Sequence, residues 1–229
     1  LALSNAELDS VLEALDASGR QLWAGFNRRH SECIARAKEV LGPDGGPLVI
    51  SYRVSAGRLP ATHWYKDRRQ GGRLLGEVCH FIDLASWIVG LPVDEIVALG
   101  SRRGETILQE DLVVSMRFAD GSVATVSYAE FGHAGTSKER VDVLGRGRSI
   151  VVDDFNGLTV DDKEVRLAEP GKGHVANLAA FKASLLGDPS DSNLRATIAS
   201  TAAALSAVES LLTGRVVKVD TRLSRERFV

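Results

Sequence analysis

Three residues able to do chemistry stand close together in an otherwise apolar stretch: Glu77, His80 and Asp83, within Gly71–Gly90 (GGRLLGEVCHFIDLASWIVG). At the 3.6-residue period Glu77, His80, Leu84 and Trp87 share one side of a helix, and Leu75, Val78, Cys79, Ile82, Ser86 and Val89 share another. A helix that is apolar nearly all round is a buried one. Burying a carboxylate or an imidazole without partners costs kilocalories, so each of the three needs a partner or a purpose. An imidazole titrates close to neutral pH and can pass a proton in either direction, which makes His80 a candidate acid–base group. A core histidine bonded to a carbonyl is the competing reading, and the pattern by itself favours it. Glu77 lies one turn back and is placed either to orient or ionise His80, or to pair with Arg73 at i, i+4. Glu77 and His80 form a conceivable ligand pair, but no third ligand follows at a suitable spacing, so no metal is expected.

Other candidates lie before this helix. Ser55–Gln70 (SAGRLPATHWYKDRRQ) is too long and too aromatic to be a simple connector, and long ordered loops tend to be functional. It offers His63, Trp64, Tyr65 and Lys66 as a loop over a substrate, with aromatics that otherwise serve to anchor a loop to the core. Asn27 and Arg28 end a short apolar segment, where Arg28 suits a carboxylate or phosphate or, equally, a structural ion pair. His30, His133 and His174 read as surface or cap residues.

The elements that must position these groups follow from periodicity and turn chemistry. Ser4 or Asn5 caps a first helix striped by Leu8, Leu12 and Leu15, and Ser18-Gly19 end it. Gln21–Phe26 reads as a short strand, Ser31 to Leu41 as a helix, and Leu48–Val54 as a strand. After Gly90-Leu91-Pro92 the sequence turns to short strands: Val93–Leu99, Asp111–Phe118, Ser122–Ala129, Glu139–Leu144, Ser149–Asp153, Leu158–Val160 and Glu164–Leu167. Asp120-Gly121 and Gly145-Arg146-Gly147 mark hairpin turns, so these strands are antiparallel. Helices over His174–Leu186 and Asn193–Leu212 and a strand over Val216–Val219 complete the chain. The architecture implied is α+β, a large, mostly antiparallel sheet with helices on one face. Apolar residues alternate onto both faces, Leu112, Val114 and Met116 against Val113, so an oligomer formed sheet to sheet is expected.

Composition narrows the function classes. The 229 residues carry 44% hydrophobic and 25% charged residues and a formal net charge of −2, ordinary for a globular chain and without a basic excess for nucleic acid or an anionic membrane surface. No stretch reads as long and apolar enough to span a bilayer, and Leu1-Ala2-Leu3 lacks the basic region of a signal peptide. Cys33 and Cys79 lie far apart with no CxxC, so two free thiols and a cytoplasmic setting are expected.

Four stretches together, GFNRRH (Gly25–His30), HWYKD (His63–Asp67), Gly71–Gly90 and DGSVATVSY (Asp120–Tyr128), resemble the Gfo/Idh/MocA oxidoreductases, closest to the branch with alcohol-dehydrogenase-fused members. The resemblance spans about Leu1 to Val219 and implies a C-terminal substrate domain with the glyceraldehyde-3-phosphate-dehydrogenase-like C-terminal fold. It implies residues 1–27 as a remnant of the NAD(P)-binding Rossmann domain, its last helix and strand, and 28–229 as the substrate-binding and oligomerisation domain. It makes His80 the acid–base residue at a secondary alcohol, with Glu77 beside it, and implies that Asp83 is mainly structural, tying down a neighbouring backbone or arginine. Asn27, Arg28, Trp64, Tyr65 and Lys66 fall on the substrate side. The commoner family pattern has an aspartate four residues before the histidine; here Gly76 stands there and the acid is displaced by one, turning it about 100° round the helix. No GxGxxG is present. Gly145-Arg-Gly147 lacks the third glycine and falls between strands, so this chain alone is not expected to bind NAD or NADP tightly. Two functions follow: the substrate-binding portion of an NAD(P)-dependent oxidoreductase acting on a sugar, nucleotide-sugar or polyol, or a non-catalytic ligand-binding or assembly module of the same fold.

Overall fold

The computed structural model describes residues 1–43, 46–103, 106–187 and 191–220. Nine strands form one sheet: β1 (Leu48–Ser55), β2 (Val93–Arg103), β3 (Thr106–Phe118), β4 (Val123–Ala129), β5 (Glu139–Gly145), β6 (Arg148–Asp153), β7 (Gly157–Val160), β8 (Lys163–Glu164) and β9 (Val217–Lys218). Their spatial order is β8-β7-β6-β5-β1-β4-β3-β2-β9. Every neighbouring pair is antiparallel except β1 and β4, which run parallel in the middle of the sheet. Antiparallel sheets tolerate water on one side, and this one alternates accordingly. Ile50, Tyr52, Val114, Val126, Val143 and Ile150 are buried on one face, while Val49, Leu99, Val113, Val123 and Leu144 are exposed on the other.

Among the described residues five α-helices accompany the sheet: α1 (Asn5–Ser18), α2 (Glu32–Leu41), α3 (Cys79–Val89), α4 (His174–Leu185) and α5 (Asp191–Thr213). Ser4 caps α1, its side chain accepting the Glu7 N–H, and Gly19 closes it in the left-handed conformation at φ 58°. Leu8 and Leu12 of α1 pack against Ile198 and Leu205 of α5. The buried side of the sheet is covered by α2, α3 and α5, which share one hydrophobic core with it. Small residues bring α5 close to the strands, with Ala202, Ala203, Ala204 and Ala207 all buried. One turn of π-helix, Leu74–Val78, precedes α3, so the helix expected over 71–90 is wound in two registers.

Several expectations need correcting. Gln21–Phe26 forms no strand: it runs extended without a sheet partner among the described residues, held instead by side chains, Gln21 Nε2 to the Ser184 carbonyl at 3.3 Å and Trp23 Nε1 to Asn177 Oδ1 at 3.1 Å. The strand over 164–167 shrinks to the two residues of β8. Asn193–Thr213, within α5, is after all long and apolar enough to cross a bilayer, 21 residues with a mean hydropathy of 1.3, yet 67% of that window is buried inside this fold. Its apolarity answers to the sheet it covers. The turn at 145–147 is a two-residue hairpin with Arg146 at φ 54° and Gly147 at φ 68°. Both central residues at positive φ suit the right-handed twist of the flanking strands. Cys33 and Cys79 are free.

Candidate functional site

The start of α3 faces three other parts of the chain: a 3-10 turn at Asn27–His30, the aromatic loop around Trp64, and the segment that enters β5. His80 stands among them half-buried. Its ring meets Phe26 edge-on with centroids 5.3 Å apart. Nδ1 is buried without a hydrogen-bond partner. Burial, with the neighbouring Arg28 cation second, pulls the imidazole down to about 4, while the carboxylates of Glu139 and Glu77 pull the other way. The ring is therefore neutral at physiological pH and able to accept a proton. Exposed His174, at the first position of α4, is near enough for its charge to bear on His80.

Glu77 is held from three sides. Tyr128 Oη donates to Oε2 at 2.5 Å, Lys138 Nζ donates to Oε1 at 2.8 Å, and Arg73 Nη1 lies 3.4 Å from Oε2. Burial opposes its ionisation, but the bonds from Lys138 and Tyr128 outweigh it and keep Glu77 below the ordinary glutamate value. Arg73 itself is fully buried and also donates to Tyr128 Oη at 2.6 Å. The ion pair between Arg73 and Glu77 that the i, i+4 spacing allows is thus present, inside a larger network.

Arg28 and Asn27 are both buried. Arg28 grips Glu139 with two bonds of 2.7 Å, and Glu139 also accepts from Tyr52 Oη at 2.5 Å and Lys172 Nζ at 2.8 Å. Burial disfavours the Glu139 anion, yet these donors bring it down to about 2. Asn27 Nδ2 donates to the Lys172 carbonyl at 2.7 Å. Next to Lys172, Gly173 sits at φ 76°, where an added Cβ would meet Ser31 N at 2.5 Å and Asn27 O at 2.6 Å. Only a residue without a side chain lets this loop lie so close to the 3-10 turn.

In the aromatic loop, Lys66 Nζ is paired with Glu130 at 2.7 Å and Glu110 at 3.1 Å. Trp64 is exposed and meets Tyr65 edge-on with centroids 4.2 Å apart. The Tyr65 ring lies over Gly76: a Cβ there would come within 2.6 Å of two of its ring carbons. An aspartate at 76 and Tyr65 in its present place exclude one another. Asp83, further along α3, forms a buried bidentate pair with Arg29, whose Nη1 also donates to Asn193 Oδ1 at 2.7 Å.

The structure thus gathers Asn27, Arg28, Glu77, His80 and Tyr65 into one neighbourhood, with Trp64 and Lys66 on its rim. It adds Tyr52, Tyr128, Lys138, Glu139, Lys172 and His174, which spacing did not reveal because their partners lie far away in the chain. For Lys138-Glu139 the signal was an adjacent cation and anion opening a strand, where neighbouring side chains point to opposite faces. Among the described residues no group of three metal-ligating side chains converges. The 145–147 hairpin joins two strands and opens no helix whose N-terminus could meet a pyrophosphate.

Comparisons with known proteins place this arrangement among oxidoreductase folds. Residues 42–151 match the family model described as the GFO/IDH/MocA C-terminal domain. Myo-inositol 2-dehydrogenase of Thermotoga maritima is 28% identical over 167 residues, 70% of this chain and 49% of that protein. An uncharacterized oxidoreductase of Bacillus subtilis, YrbE, is 25% identical over 189 residues, 80% of this chain and 54% of that protein. The chain spans about half the length of these curated relatives. The WlbA dehydrogenase of Bordetella pertussis, solved with NADH and UDP-GlcNAcA, superposes with a TM-score of 0.75 at 19% identity, over 95% of this chain and 69% of that one. The match to the Gfo/Idh/MocA C-terminal domain covers residues 42–151, and the fold is that of the oxidoreductases it superposes on.

Proposed function

We propose that this chain is the substrate-side portion of an NAD(P)-dependent oxidoreductase that moves hydride to or from a secondary alcohol carbon of a sugar, nucleotide-sugar or polyol. The single observation that carries the proposal is His80: a neutral imidazole at the mouth of a buried helix, with Nδ1 buried and unbonded, beside Arg28, Glu77 and Glu139, which are each paired within the chain. A scaffold would replace such a residue with an aliphatic one, since a buried unsatisfied nitrogen costs about 1–3 kcal/mol. As hydride leaves the carbon, His80 takes the hydroxyl proton; in the reverse direction it returns it. Glu77 and Glu139 are kept ionised and favour the imidazolium that forms, so Glu77 acts as a positioning residue through charge. Exposed Trp64 and the neighbouring Tyr65 offer an apolar face to a sugar ring. Arg28, Asn27 and Lys66 shape the pocket wall through their internal partners.

NAD or NADP, when bound to the complete protein, supplies the hydride carrier, and its contacts belong to a nucleotide-binding lobe. In this reading residues 1–27 are the end of that lobe, and residues 28–229 form the substrate-binding and oligomerisation unit. The apolar residues on the open sheet face, Val49, Leu99, Val113, Val123 and Leu144, support association of copies through that face. The alternative, a non-catalytic ligand-binding or assembly module, is favoured by one observation: Arg28, Lys66 and Glu77 are all neutralised within the chain. The complete protein assayed for NAD(P)H turnover against a panel of polyols, sugars and nucleotide-sugars decides between them. We expect turnover, and a loss of about 10²–10⁴-fold in kcat for His80→Asn. Turnover that His80→Asn leaves at the full rate would remove His80 from the chemistry, and no turnover with any substrate would favour the module.

A further inference from the structure

Away from His80, the C-terminal half of α3 and the N-terminal half of α5 enclose a cavity of about 410 Å³. Its charged lining is unbalanced: three cations, Arg29, Lys38 and Arg195, face one carboxylate, Asp83. That carboxylate is already committed to Arg29 in the bidentate pair. Lys38 has no acid. Its Nζ donates to the Trp87 carbonyl at 2.6 Å and lies 4.8 Å from the centroid of the Trp87 ring. Arg195 makes no hydrogen bond or ion pair among the described residues, and its Nε is buried without a partner. Burial, then the cations of Arg146 and Arg29, make Lys38 a less willing ammonium than a solvated lysine, the field expected where a counter-charge is missing.

Two desolvated cations sharing a cavity without an anion are costly, and a guanidinium fork with an unbonded N–H is the standard complement to a flat oxyanion. We propose that this cavity is an oxyanion site, in which Arg195 and Lys38 hold the phosphate or carboxylate group of a small ligand. The Arg29–Asp83 pair forms a fixed wall, and Leu91, Pro92 and Ala199 offer an apolar surface to the rest of the ligand. The site is separate from the proton-transfer site proposed above and does not depend on it.

The test is calorimetric titration of the complete protein at pH 7.5 with inorganic phosphate and, separately, with malonate, each against sodium chloride at matched ionic strength. We expect one of the two to bind tighter than about 1 mM, with phosphate preference identifying a phosphate ester and malonate preference a carboxylate. Arg195→Gln and Lys38→Met should each weaken that binding by at least tenfold. Arg195 has no partner to lose within the described chain, so its variant keeps the fold, which an unchanged Tm verifies. Failure of both anions to bind the wild type below about 1 mM, or binding that survives both substitutions, overturns the proposal.

Discussion

Asp83 and His80 stand three residues apart on α3, and the fold treats them in opposite ways. Asp83 is 1% exposed and saturated, its carboxylate matched by both arms of Arg29, which in turn reaches Asn193. His80 sits half-buried with Nδ1 unbonded. Both groups carry a desolvation penalty. For Asp83 the chain supplies a counter-charge from the turn at Asn27–His30, and the result is a clamp between that turn, α3 and α5. For His80 the neighbouring cation, Arg28, is spent on Glu139, and the ring stays neutral instead. A helix that buries two titratable groups and completes only one of them marks the incomplete one as the place where something else is to be bound.

The comparison breaks most visibly at the clamp. Asp83→Ala leaves the Arg29 guanidinium buried without its carboxylate and should cost about 3–5 kcal/mol of stability, read as a lowered midpoint in urea. Any loss of activity should follow the folded fraction. If Asp83→Ala were as stable as the wild type, Asp83 would not be the structural member of the two. The Glu139 cluster gives the next effect. A carboxyl brought from 4.5 to about 2 contributes on the order of 3 kcal/mol. Its folded pKa is depressed, so the contribution is fully present above about 4.5 and is lost as pH falls towards 2. Glu139→Gln should therefore flatten the acid limb of the stability curve. At Gly76 the effect is smaller. Gly76→Asp pushes into the Tyr65 ring and should cost about 1–3 kcal/mol, and the double change with Tyr65→Ala should recover most of it.

These contrasts were unequally legible in the sequence. The helix around His80, the sheet and most strand limits follow from periods of 3.6 and 2 and from glycine-bearing turns, all of them local signals. Glu77 pairing with Arg73 was also local, four residues apart. The rest of the Glu77 network was not, because Tyr128 and Lys138 arrive from β4 and the entry to β5, 51 and 61 residues away. The same holds for Arg28 and Glu139, 111 residues apart. Ion pairs of that kind are set by sheet order, and with β5 and β4 on either side of β1 the order follows no rule of sequence spacing. Gln21–Phe26 misled for a related reason. Its aromatic residues find helices rather than a sheet, Trp23 lying 5.7 Å from Phe181 of α4 and Phe26 5.3 Å from His80 of α3 between ring centroids.

The finest test of the comparison is the pH dependence of His80 itself. Its pKa is lowered from 6.5 to about 4, so between those values the unfolded chain binds a proton that the folded chain refuses. Stability should then fall as pH drops from 6.5 towards 4, the opposite of what a histidine gaining a carboxylate partner would show. His80→Asn has no proton to gain and should lose this dependence, ending about 1–2 kcal/mol more stable than the wild type at pH 5 relative to their difference at pH 8. Asp83 offers no such gain, because its substitution strands a cation at every pH. Urea midpoints for the two variants at pH 5 and pH 8 decide the matter. If His80→Asn showed no relative gain at pH 5, the imidazole would have a bonding partner in solution, and its resemblance to Asp83 would be closer than its difference.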